Sequence, residues 1–486
     1  MPRVQLPIGF TFYQSDSLPF SAQRCVNWVP TVGEAAGLTD RYLAQPLGLK
    51  SLVDSGLGAN RGGLAMAGIP YFVNGTSLIS VSSSNVVNNH GTITGLGRVS
   101  MATNGRYLVI VVPGSTCYAY DNVDNTLLPI TDVDFRLAST VVYKDGYFVF
   151  SSYDGTVFFN SALNDPFTYD ALDFGSAEIN PDKITGLHVN HNELFVGGLD
   201  TIELFQNVGG SGFPFQRIAG ANIQKGVRAP FSLVEFDNTF CFIGGGLNEK
   251  AAVWKVSGSS SAQKISTDAI DRELQRYNQE EIESAFALTY SDRGQFFALF
   301  TIESTRIPSR TFVYNATASA YTQSKVWFEL QTGVTDNRFS VQSIVFAYGK
   351  LLVGDSATGV IGELDYDTLD YYDDEIWRRS VTSPFSNQGL PIFAGDLEAT
   401  FESGVGLTTG NGSNPLVTMN YSDDGGRTFT DGITRSIGQI GRYGQRSVWT
   451  RQGRFPVSRS IGLTITDKVR ANLIGLAANP EGGIYG

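Results

Sequence analysis

One phrase recurs along this chain and narrows its possible folds more than any other feature. It is clearest in "TVVYKDGYFVFSSYDGTVFFN", which begins at Thr140. An apolar run leads into the turn Asp145-Gly146, a second run spans Tyr147 to Phe150, and a polar loop precedes a third run, Val157 to Phe159. Degenerate copies begin at Gly63, Val99, Ile184, Phe231, Phe286 and Gln342, so the units start about 36 to 56 residues apart. Gly and Asn at the turns supply the positive φ of tight hairpins, and short apolar runs between turn signals are strand signals. Each unit therefore predicts three strands, and its connection has room for a fourth. A meander of that size cannot bury both of its faces alone. Packing successive sheets face to face around a closed ring buries them and shelters their edges. The expected class is all-β, a β-propeller with seven blades preferred and six possible.

Composition agrees with strands and tight turns: aromatics are 12 % of the 486 residues and glycines number 54, against 35 Lys and Arg. The longest apolar runs, such as "YLVIVV" from Tyr107, are far too short to cross a bilayer. No apolar core follows a basic start in "MPRVQLPIGF", so neither a secretory signal nor a membrane span is expected. Cys25, Cys117 and Cys241 are odd in number and widely spaced, which predicts reduced, packed thiols. A net charge of −12 argues against a protein whose main task is gripping nucleic acid. The charge is uneven, however. Between Asn420 and Arg470 nine basic residues face four acids, a net of +5, which leaves −17 for the remainder. A basic module on an acidic body predicts two surfaces with different partners, or simply a solvated basic face.

Two segments depart from the phrase. In "ISTDAIDRELQRYNQEEIESAF" (265–286), Ser266, Thr267 or Asp268 can cap a helix, and "NQEE" offers a capping box for a second. A helical insertion near 268–286 is expected to project from the propeller rim, covering a sheet edge or touching a neighbour. "DYDTLDYYDDEIW" (365–377) is acidic and tyrosine-rich; Asp370, Asp373 and Asp374 lack the spacing and glycine of a calcium loop. Alternation resumes at Ile392 and predicts a separate β-sandwich. The expected organisation is a propeller body with an N-terminal extension over 1–380, a sandwich over 390–478 and a flexible tail over 479–486.

Reactive constellations are missing from the pattern. His188 and His191 stand three apart in a strand-and-turn context without further zinc ligands, and no Ser or Cys has a nucleophile's setting. No catalytic residue, metal or cofactor is assigned. "YSDDGGRTF" fits the Asp-box hairpin through Ser422, Asp424, Gly426, Thr428 and Phe429. Its physics is that of a turn: Asp424 accepts backbone N–H groups, Gly426 takes the unusual φ, and Phe429 packs beneath. Because such hairpins occur in sialidases and other glycan-processing propellers, a glycan-binding or glycan-cleaving propeller is the alternative reading.

Several stretches, in order, resemble the packaged-DNA stabilisation proteins of short-tailed bacteriophages, the tail hub or nozzle family. They are "LPIGF…CVNWVP", "GRVSMATNG" (97–105), "DTIELF" (200–205), "IQKGVRAPFS" (223–232), "AIDRELQRYNQEEIESAF" (269–286) and "RSVWTRQGRF" (446–455). The resemblance implies a structural virion protein, assembled in a host cytoplasm, that forms a homo-oligomeric ring, typically a hexamer, below the portal–adaptor complex. It also implies contact with a tail needle or plug and with tail fibres or spikes, and packaged DNA that passes without sequence-specific binding. An acidic channel wall would let that DNA slide, since like charges repel. Arg446, Arg451 and Arg454 of the basic module, with Asp271, Arg272 and Arg276 of the helical insertion, are the candidate assembly contacts.

Overall fold

The computed structural model describes residues 3–33, 35, 37–177, 182–210, 212–387, 390–455 and 457–482. Its sheets resolve the phrase into seven antiparallel blades in a ring, four strands deep in meander order; in blade 5 the inner position is shared by two short strands, Gly226–Val227 and Val234–Phe236, and the four strands of blade 6 begin a larger sheet. Blade 3 shows why the sequence does this. Ala138–Lys144 pairs with Tyr147–Ser152, which pairs with Phe158–Asn160, which pairs with the short outer strand Phe174–Gly175. Asp145 and Gly146 turn the first hairpin with φ of 49° and 93°. Phe148 and Phe150 point to blade 2, packing with Val109 and Val111. Val149 and Phe158 point to blade 4, packing with Leu187 and Val196. A strand buried on both faces has no need of polar alternation, hence the continuous "YFVF".

The fourth strand was hidden in the connections because it is exposed. Val87–Thr92 in blade 1 and Thr126–Pro129 in blade 2 carry mostly polar or half-buried residues and form the outer rim. Blade 7 takes its fourth strand from the other end of the propeller. Gly48–Asp54 pairs antiparallel with Val360–Asp365, which clasps the ring shut. Gly48 is required there, since a Cβ would lie 2.2 Å from the carbonyl oxygen of Thr368.

The sandwich draws strands from both ends of the chain, so the division at 380 and 390 expected from sequence is redrawn. One sheet runs Val29–Val32, Arg41–Ala44, Leu473–Gly482, Ile392–Phe401, Ser447–Phe455, and Val4–Leu6 pairs onto the central Leu473–Gly482. The other sheet is continuous with blade 6. Ala22–Val26 bridges from Trp327–Leu330 to Arg378–Val381, and the order continues through Ser458–Ile465 and Leu416–Ser422 to Ile433–Ser436. A single apolar core therefore runs from Trp449, Met419 and Leu473 of the sandwich into Phe328 and Val353 of blades 6 and 7. The expected flexible tail is corrected as far as Gly482: residues 480–482 hydrogen-bond in register with 392–394. Residues 483–486 of that expectation lie outside the described residues.

The helical insertion does not project. Helix α1 (Asp268–Leu274) is capped by Thr267, and α2 (Gln279–Glu283) begins with the expected capping box of Asn278 and Glu281. Ile270, Leu274 and Ile282 are buried with Phe12, Phe236, Phe300 and Trp327, so the pair fills the wedge between blades 5 and 6.

Candidate assembly surface and the propeller–sandwich junction

The "CVNWVP" stretch is the pin between the two halves. Asn27 is fully buried with φ of 50°, a left-handed conformation that Asn tolerates better than most residues. Its Nδ2 donates to the carbonyls of Gln331 and Trp377, both at 3.0 Å, and its Oδ1 accepts from Gln331 N at 2.9 Å. One side chain thereby ties the N-terminal extension to the end of blade 6 and to the strap leading into the sandwich. Trp28 follows, fully buried, with its indole N–H donating to Ala471 O at 2.9 Å. Beside them, Arg24 contacts Glu329 (2.6 Å) and Asp336 (2.6 Å), and Arg310 contacts Glu329 at 2.6 Å. Burial pulls the Arg24 guanidinium down, but the two carboxylates outweigh it and hold it above its ordinary range. Buried cations and anions in this network complete one another, and removing one would strand its partners.

The acidic stretch 365–377 is the strap that crosses to the sandwich. Lys468 reaches Asp370 at 3.1 Å, and Arg470 reaches Asp367 at 3.0 Å. Part of the charge asymmetry read from the sequence is thus spent within the chain. Arg459, almost fully buried, forks onto Asp423, and Arg446 forks onto Glu398 at 2.5 and 2.7 Å. Arg451 and Arg454 are exposed on the edge strand Ser447–Phe455, with no carboxylate partner among the described residues; Arg454 lies over the Phe393 ring at 6.0 Å. The helical trio is engaged locally. Asp271 accepts from Lys264 and Ser266, Arg272 donates to Asp16 and to the Gln14 carbonyl, and Arg276 donates to Glu273.

The Asp box closes as a turn. Asp424 accepts from the N–H of Arg427 (2.9 Å) and Thr428 (3.0 Å), from the Thr428 hydroxyl (2.6 Å) and from the Ser422 hydroxyl (2.7 Å). These donors hold its carboxyl well below the usual carboxylate range. Gly426 has φ of 88°, and a Cβ there would meet Ala22 at 2.3 Å, so the hairpin seats on the N-terminal extension. Phe429 lies against the Arg379 guanidinium at 5.0 Å. A shorter version of the device, which the sequence pattern missed, sits in blade 3: Asp154 accepts from Ser152 and from both N–H and hydroxyl of Thr156.

The described residues contain no group of three or more potential metal ligands. Cys25, Cys117 and Cys241 are free and buried, and burial pushes the Cys117 thiol up to about 12. His188 packs on Phe240 at 4.5 Å, and desolvation lowers it to about 4. The propeller axis is crossed near one end by Arg98. Its guanidinium donates to Gln342 O at 2.8 Å and lies 4.0 Å over the Phe286 ring and 5.7 Å from that of Phe231. Burial, then the nearby Arg338, lowers it to about 9. One residue between blades 1 and 2 thus reaches the inner ends of blades 5, 6 and 7. A duplex whose major groove alone is about 12 Å wide has no path along that axis.

The tail hub protein gp10 of Salmonella phage P22 is 26 % identical over 405 residues, covering 77 % of this chain and 78 % of that protein. Among solved structures, the N-terminal domain of Nup159 gives a TM-score of 0.41 at 10 % identity, covering 71 % of this chain and 99 % of that one. A chain of a mitotic checkpoint complex gives 0.40 at 10 % identity, covering 68 % and 96 %. Two family descriptions match in succession: "Bacteriophage P22 Gp10, beta-propeller" over residues 4–369, and "Bacteriophage P22 Gp10, beta-sandwich" over residues 378–481. The chain belongs to the phage P22 Gp10 family, a β-propeller followed by a β-sandwich.

Proposed function

We propose that this chain is a structural protein of a phage tail, the hub that extends the DNA exit path below the portal and retains packaged DNA. The collinear match of both halves to the Gp10 family carries this reading. The chemistry of the fold supports it. The two halves share one core and one continuous sheet, which makes a stiff body whose output is shape. The glycan alternative rested on the Asp box, whose carboxylate is consumed by its own turn. The finer reading is a ring of copies, six by analogy with the resemblance, seated on an adaptor-bearing portal and contacting a needle or plug and fibres or spikes. Since Arg98 bars the propeller axis, the DNA path in this reading runs between copies and not through any one of them. Infection without this chain tests the proposal: heads fill and then lose their DNA, and added purified chain restores retention. Stable, infectious particles lacking the chain would refute it.

A further inference from the structure

Blades 2 and 3 carry a surface that the tail-hub reading does not yet use. Residues 100–175 hold nine acids (Asp121, 124, 132, 134, 145, 154, 165, 170 and 173) against Arg106, Arg136 and Lys144. The net of −6 is half of the whole chain's charge. On the outer side of these blades, large apolar side chains stand in solvent: Val133 is 96 % exposed, Leu172 78 % and Leu128 50 %. The segments carrying Val133 and Leu172 touch. Arg136, in the connection carrying Val133 and Asp134, donates to Ala171 O at 3.3 Å and covers the Phe174 ring at 4.8 Å. Asp134 and Asp170 are exposed within it. Exposed apolar side chains rimmed by charge match the apolar centre and polar rim of a contact surface.

Its complement is on the same chain. The sandwich is continuous with blade 6 and shares its core with blades 6 and 7, which lie across the seven-blade ring from blades 2 and 3. That module is net basic over 420–470 and presents Arg451 and Arg454 without carboxylate partners among the described residues, on an edge strand near the exposed Val457. We infer that the outer face of blades 2 and 3 of one copy docks against the basic edge of the sandwich of the next. The two patches are different surfaces of opposite sign, one carried by blades 2 and 3 and the other by the sandwich joined to blade 6. They make a head-to-tail contact, the kind that closes into a ring. This inference rests on the tail-hub reading for its setting, and the occupant it names is a second copy of this chain.

The test is assembly of the full chain on an adaptor-bearing portal, counted by native mass spectrometry, with circular dichroism confirming the fold of each variant. Asp134→Lys with Asp170→Lys, and separately Arg451→Glu with Arg454→Glu, should each weaken copy-to-copy association by on the order of tenfold or more. The chain carrying all four changes should regain it, because both signs are then inverted together. Unchanged assembly by the two reversed pairs would overturn the inference. So would a loss with the Asp134 and Asp170 changes that the fourfold variant fails to restore, which would assign the patch to another tail component. If wild-type chain does not join the portal at all, the tail-hub reading fails instead.

Discussion

Replacing Asn27 by Ala should separate the propeller from the sandwich more effectively than any other single change at the junction. The side chain satisfies three backbone groups in a site with no solvent access: two carbonyls at 3.0 Å and one N–H at 2.9 Å. Each buried group left without a partner costs about 1 to 3 kcal/mol. Carbonyls retain other options more readily than an N–H, so the low end applies to the two of them, giving roughly 3 to 5 kcal/mol for the set. Ala at φ of 50° adds about 1 kcal/mol, because its Cβ approaches the following carbonyl. The expected total is about 4 to 6 kcal/mol, comparable with a large part of a domain's net stability. Calorimetry of the wild type should show one cooperative transition, and Asn27→Ala should split it, with the sandwich melting first. Asn27→Gly separates the two contributions: it relieves the φ penalty, loses the same hydrogen bonds, and should recover only about 1 kcal/mol. A single unsplit transition for Asn27→Ala, within about 1 kcal/mol of wild type, would refute the argument that this residue pins the halves.

Three further outcomes follow from the same structure. His188 titrates near 4 in the folded chain against about 6.5 when unfolded, so the unfolded state binds the proton first; stability falls as pH drops through that window, by roughly 2 kcal/mol at pH 5. Urea titrations of His188→Leu should show a flatter profile than wild type between pH 7 and pH 5, and equal slopes would count against it. Gly48→Ala places a methyl 2.2 Å from the Thr368 oxygen and should cost about 1 to 3 kcal/mol, read as faster hydrogen exchange along Gly48–Asp54 where the ring is clasped. Asp424→Asn should loosen only its own hairpin: exchange rises over 422–430 while the global melting temperature and tail assembly stay as in wild type.

How much of this was legible in the sequence follows from where each residue spends its side chain. The middle strands of every blade are buried on both faces, so Phe148 to Phe150 or Leu108 to Val111 print a run that survives divergence. The outer strands left no such mark. "VNNHGT" and "TLLP" face solvent, and the last strand of blade 7 stands about 300 residues away at Gly48–Asp54. The sandwich was recognised from its C-terminal alternation, but its N-terminal strands were not, because Val4–Leu6 and Arg41–Ala44 find their partners more than 400 residues further on. Local periodicity carries no information about such pairings. The helical insertion was placed correctly by its caps, yet its apolar face, Ile270 and Leu274, already argued for burial and against projection. For the site, Asp424 and its donors were readable because an Asx turn is local. Asn27 was visible only as part of a family stretch; no composition rule marks an asparagine that holds three distant backbone groups.

The central claim is that a stiff propeller–sandwich body works by geometry, with DNA passing beside it in a ring. Electron cryomicroscopy of the chain on an adaptor-bearing portal measures this directly. The account predicts a closed ring of copies, each propeller axis blocked at Arg98 and each junction as in the free chain, with the channel between copies. A channel running through a propeller axis, or sandwiches hinged away from their propellers in the assembled ring, would contradict it.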